Sequence, residues 1–131
     1  MIVTSLYTAI LGILFFILSL RVIQLRRRLQ IGLGDAGNED LLRAISVQAN
    51  LAEYAPIALL LMYFLEVQIN YSWLIHLLGI ILILGRISHA YGVGQSVENY
   101  KFRVFGMAST FTVIILISLF LLLLFIQQFV Q

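Results

Sequence analysis

The sequence predicts an all-α membrane protein, a single bundle of four transmembrane helices spanning residues 1–131. Three observations carry that expectation. Hydrophobic residues make up 62% of the 131-residue chain and charged residues 11%, with a mean hydropathy of +1.04. A soluble domain of this size needs more polar surface than that composition supplies. Four stretches have the length of a helical span, for which ~20 predominantly apolar residues cross ~30 Å of hydrocarbon. No stretch shows the ~10-residue alternating pattern of barrel strands, and helices satisfy their own backbone groups in lipid.

Helix one is expected over about residues 2–28, with an apolar run from Ile2 to about Ile23. No basic residue precedes the run, and Arg21 and Arg26–Arg28 follow it in place of a small-residue cleavage site. It therefore reads as a retained span and not a signal peptide. The connection from Leu29 to Asp40 holds three glycines with Asp and Asn, the composition of a loop. Helix two is expected over about 39–66, spanning from about Ala44 to Leu65, with Asn38 as N-cap and Glu39 and Asp40 in the first turn. Carboxylates there suit the helix dipole. Pro56 lies inside this helix and removes one backbone hydrogen bond; the resulting bend either opens space beside a polar face or serves packing alone. Helix three is expected over about 72–91, its apolar core running from Trp73 to Ile87, before a flexible loop at Gly92–Ser96. Helix four covers about 101–128, with Val104–Ile126 as its span.

All eight Lys and Arg residues fall at one end of this bundle, while Glu66–Ser72 and the tail Gln127–Gln131 occupy the other. The positive-inside rule makes the basic end cytoplasmic and sends both termini outward, as in a bacterial inner membrane. Arg26–Arg28 read as anchors for the headgroups of membrane lipids. The chain has no cysteine, which excludes disulfides, thiolate metal sites and a cysteine nucleophile. A net charge of +2 without an aromatic-interleaved basic stripe gives no indication of nucleic acid as a partner.

The informative residues are polar ones at membrane depth. Arg43, Ser46, Asn50 and Glu53 follow one another at spacings of three, four and three, which places them on one face of helix two. An unpaired carboxylate at that depth costs roughly 2.5–3.5 kcal/mol, so Glu53 is expected to face the bundle interior and meet Arg86 of helix three, with Asn50 hydrogen-bonding nearby. The pair either fastens two helices or frames a polar pocket. His89 shares the face of Arg86; with His76 at the opposite end the only other histidine, it reads as an interfacial histidine, and no metal site is expected. Tyr91, Tyr100, Lys101 and Arg103 form either an aromatic belt with anchoring cations or a cationic pocket for an anionic ligand.

The run Arg43 … Asn50-Leu51-Ala52-Glu53-Tyr54-Ala55-Pro56-Ile57-Ala58-Leu59 resembles the second helix of the MAPEG family, the membrane-associated proteins of eicosanoid and glutathione metabolism. Gly85-Arg86-Ile87-Ser88-His89-Ala90-Tyr91 is similar to its third-helix motif and Arg103-Val104-Phe105-Gly106 to the start of its fourth. The resemblance implies a homotrimer that binds glutathione between protomers near the cytoplasmic face. It implies glutathione contacts for Arg43, Asn50, Glu53, Arg86, His89 and Tyr91 (or Tyr100), and a thiolate-stabilising role for Arg103. Ala49, just before the Asn, and Ser46 stand where eicosanoid-forming members carry arginines, which implies fewer cations for the carboxylates of the cofactor. The activity implied is a glutathione-dependent transferase or peroxidase acting on lipophilic electrophiles or lipid hydroperoxides. A non-catalytic lipid- or ligand-binding protein on the same scaffold is the alternative; a small proton-coupled exporter would require Glu53 to stand unpaired in a cavity.

Overall fold

A computed structural model describes residues 2–130. Met1 and Gln131, and the side chains of Phe129 and Val130 in the expected polar tail, lie outside the described residues. Four helices follow in chain order: α1 (Thr4–Leu29), α2 (Glu39–Gln68), α3 (Ser72–Gly94) and α4 (Tyr100–Val130). All four are long and apolar enough to cross a membrane, α4 being the most apolar. No strand occurs among the described residues.

The ends of the helices show why these residues fold as they do. Nothing near Val3 can cap α1 locally, and its first amides turn instead to a distant carboxylate. Val3 N–H and Thr4 N–H donate to the two oxygens of Glu66, the latter at 2.8 Å. A carboxylate at a helix N-terminus satisfies orphan donors and opposes the positive end of the dipole. At the other end of α1, Gln30 adopts a left-handed conformation (φ 56°) with its N–H on the Arg26 carbonyl, and Arg26, Arg27 and Arg28 fill the last turn. α2 starts where the sequence places it: the Asn38 side chain accepts from Leu41 N–H at 3.0 Å. The helix runs unbroken through Pro56.

α2 turns a stripe of Leu41, Ala44, Val47, Leu51, Ala55, Ala58, Met62 and Leu65 inward, at the three- and four-residue spacing of one helical face. The apolar core joins its lower half to Val3, Tyr7 and Leu11 of α1, Ile75, Leu78 and Leu82 of α3, and Val113 and Ile117 of α4. Among the described residues α1 packs against α2 and α3 but not α4, and α3 and α4 form the most extensive pairing. Glycine makes that pairing close. A Cβ at Gly106 would lie 2.5 Å from the Gly85 carbonyl and 2.6 Å from the His89 amide nitrogen; one at Gly92 would lie 2.6 Å from the Arg103 amide nitrogen. Small residues let helix backbones approach in a solvent where the hydrophobic effect does not drive them together.

The expected flexible loop at Gly92–Ser96 is corrected by this contact. Gly92, Val93 and Gly94 continue α3, because Gly92 is held against the start of α4 and its carbonyl accepts from Asn99 N–H at 2.9 Å. Only residues 95–99 remain between the two helices.

Candidate functional site

The basic end of the bundle opens into a half-enclosed cavity of about 400 Å³. α2 lines it with Glu39, Leu42, Arg43, Ser46 and Asn50, α3 with His89 and Val93, the following connection with Glu98, and α4 with Arg103. Arg43, Ser46 and Asn50 reach it because the three-four spacing keeps them on one face of α2, and His89 and Val93 do so one turn apart on α3.

Behind the cavity lies a charge in an unusual setting. Arg86 is 2% exposed. Its Nη1 donates to Asn50 Oδ1 at 2.7 Å, and its Nη2 donates to the Gly106 carbonyl at 3.0 Å and approaches Met107 Sδ at 3.6 Å. The guanidinium carbon sits 6.0 Å from the centre of the Tyr54 ring, and Tyr54 in turn meets Phe111 edge-on. Nε has no hydrogen-bond partner. A buried cation is thus met by an amide, a carbonyl, a sulfur and an aromatic face, with no carboxylate among the described residues. Because Asn50 gives its oxygen to Arg86, its –NH₂ is the group left to donate toward the cavity.

The expected Arg86–Glu53 pair does not form. Glu53 is exposed on the outer side of α2 and has no ion-pair or hydrogen-bond partner among the described residues. Arg86 points inward between α2 and α4, and three residues beyond Asn50 the helix face has rotated by about 60°, away from α3. The inward positions at that level belong to Leu51 and Ala55, both buried, and to Tyr54. Arg86 itself does not line the cavity but fixes Asn50, which does.

The other expected residues divide. Arg43, Asn50, His89 and Arg103 come together around the one cavity. Tyr91 lies elsewhere: it is 54% exposed, packs edge-on against Phe102 and lines a separate apolar depression with Leu84, Ile87, Ser88, Lys101 and Phe105. Two residues after His89, a helix has turned about 200°, so the two side chains cannot share a face. Tyr100 is 66% exposed and borders neither space.

Each outward-facing cation of the cavity has an acid beside it. Arg103 Nη1 bonds Glu98 Oε1 at 2.6 Å, and Arg43 Nη2 lies 3.8 Å from Glu39 Oε2. Glu98 was not legible as a site residue; the one hint is a carboxylate five positions before Arg103 in a short connection.

The model of the MAPEG family matches residues 4–125, which includes every residue of the cavity. The chain belongs to the MAPEG family. It is also 34% identical over 117 residues to the inner membrane protein YecN of Escherichia coli K12, an alignment that covers 89% of this chain and 88% of the relative. The same figures hold for YecN of an E. coli O6:H1 strain. With its four apolar helices, this MAPEG chain is an integral inner-membrane protein.

Proposed function

We propose that the protein is a membrane-bound glutathione-dependent transferase or peroxidase that acts on lipophilic electrophiles or lipid hydroperoxides. The observation that carries this reading is the cavity itself: in a MAPEG chain, Arg43, Asn50, His89 and Arg103 surround one polar space at the basic end of the bundle. Its volume lies within the ~300–1,000 Å³ of small-molecule sites. Two arginines suit the anionic groups of the tripeptide, and the Asn50 amide, oriented by Arg86, offers donors to them. Glutathione supplies the nucleophilic thiol that a chain without cysteine lacks. Arg103, at the cavity wall, favours the thiolate over the thiol, because an adjacent guanidinium stabilises the charged form. Lipophilic substrates partition into the bilayer and reach such a thiolate from the membrane side, so that proximity contributes to rate.

Assembly as a homotrimer, with the basic end cytoplasmic and the termini outside, belongs to the same reading. The exposed Glu53 supports it, because a carboxylate left facing hydrocarbon costs roughly 2.5–3.5 kcal/mol and a neighbouring protomer would cover it. Glutathione titrated into detergent-purified protein should bind saturably and give a thiolate difference spectrum that Arg103→Ala abolishes, with conjugation of a lipophilic electrophile lost alongside; Glu53→Ala should weaken binding. No saturable binding at millimolar glutathione overturns the reading. It would leave the alternative of a non-catalytic ligand-binding protein, which the occupation of Arg103 by Glu98 favours.

A further inference from the structure

We propose that Glu98 is the resident anion of the cavity, a carboxylate that holds Arg103 until an incoming anion displaces it, and so sets which ligands the site accepts. The inference rests on the cavity reading above and adds a specificity-determining residue to it.

The geometry is that of a half-exposed cation already occupied by a better-buried carboxylate. The Glu98 side chain is 16% exposed although it sits in a connection, whereas its partner Arg103 is 48% exposed. Both line the same cavity. The contact is single, Nη1 to Oε1 at 2.6 Å, so the remaining guanidinium nitrogens stay available for a second anion to begin the exchange. The connection that carries Glu98 is short and pinned. Asn99 N–H donates to the Gly92 carbonyl at 2.9 Å and Arg103 N–H to the Asn99 carbonyl at 3.1 Å, with the Arg103 backbone pressed against Gly92. The backbone that carries Glu98 is therefore held beside Arg103, so a displaced carboxylate remains within reach of the guanidinium.

The consequence is selection. An anion entering the cavity must compete with a tethered carboxylate for the guanidinium, so a ligand bound only by one weak anionic group gains little. A ligand that also engages Arg43, Asn50 and His89 supplies the interactions needed to displace Glu98. A negative charge fixed beside Arg103 also lowers the attraction that the site offers to any thiolate. The cavity trades anion affinity for discrimination.

Two measurements test this. In full-length protein in detergent, an arginine-specific dicarbonyl reagent should modify Arg103 several-fold faster in Glu98→Gln than in wild type, with Arg43 modification unchanged as the internal control, read by peptide mass spectrometry. Equal Arg103 rates overturn the proposal, and this readout does not depend on glutathione. Glutathione sulfonate, whose sulfur group is a permanent anion, should bind Glu98→Gln roughly two- to fivefold more tightly, the range expected from an exposed pair. S-methylglutathione, uncharged at sulfur, should bind both proteins alike, and Arg103→Ala in the Glu98→Gln background should remove the gain. Weaker sulfonate binding by Glu98→Gln overturns the proposal by making Glu98 a support for Arg103 instead of its competitor. If neither protein binds any glutathione derivative yet Arg103 labelling still accelerates, the glutathione reading fails and the role of Glu98 stands.

Discussion

The two halves of this bundle treat their polar groups in opposite ways. At the Glu66 end, the charged and aromatic polar groups are matched within the fold, although the buried Thr4 hydroxyl oxygen has no partner among the described residues: the Glu66 carboxylate takes the first two amides of α1, and the Tyr7 hydroxyl meets His76 Nδ1 at 2.8 Å and its carbonyl at 3.1 Å. The surrounding side chains, among them Met62, Leu65 and Ile75, are closed to solvent. At the basic end, a buried guanidinium has dipoles but no counter-charge, and beside it lies open space lined by arginines. A helical membrane protein can leave charge unneutralised in its interior only by surrounding it with oriented dipoles. Residues retained under that burden point to function more readily than to stability. The lower half holds the fold, and the upper half keeps a space that the fold alone does not need.

Four substitutions, with Gly12→Ala as a control beside the first, would break or sharpen that division. The largest effect is expected where α3 and α4 approach most closely. Gly106→Val forces a side chain into the Gly85 carbonyl and the His89 backbone and should cost about 3 kcal/mol or more, seen as loss of the folded protein in a detergent melt. Gly12→Ala, with nothing within 4 Å of the new methyl, should leave the melt unchanged or slightly raised. Next, Arg86→Leu removes the partner of Asn50 and of the Gly106 carbonyl at once. Its stability change should be smaller than that of Gly106→Val, because replacing buried charge by apolar volume often offsets the loss, yet ligand binding should fall sharply as the Asn50 amide loses its orientation. A stability loss without a binding loss would refute the positioning role of Arg86. Third, Glu66→Ala leaves two amides without an acceptor and should cost about 1–3 kcal/mol with ligand binding intact. The smallest stability effect belongs to Arg43→Ala: its distant contact with Glu39 is worth under about 1 kcal/mol, so melting should barely move while affinity for an anionic ligand drops.

Much of the fold was legible because membrane helices announce themselves by length and hydropathy. Asn38 and the acidic turn after it fixed the start of α2, and the three-four spacing of Arg43, Ser46 and Asn50 placed them on one wall. Spacing within one helix does not say how that helix is rotated against its neighbours. That is why Glu53, on the same stripe, came out on the exposed side and why Arg86 found Asn50 instead. Tyr91 does not join the cavity for a simpler reason, since it lies on the far side of α3 from His89. Gly92 reads as a breaker when taken alone; it stays helical because α4 is close enough to need the missing side chain. The cap on α1 was invisible too, as nothing local to Thr4 signals a carboxylate 62 residues away.

That long-range cap has a consequence for biogenesis. When α1 enters the bilayer during synthesis, the residue that will quiet its leading amides follows later in the chain, at the end of α2. Those amides must stay hydrated at the headgroup level until the end of α2 arrives beside them. The first hairpin is therefore completed by its second arm, and an insertion intermediate truncated before Glu66 should hold its opening turn frayed.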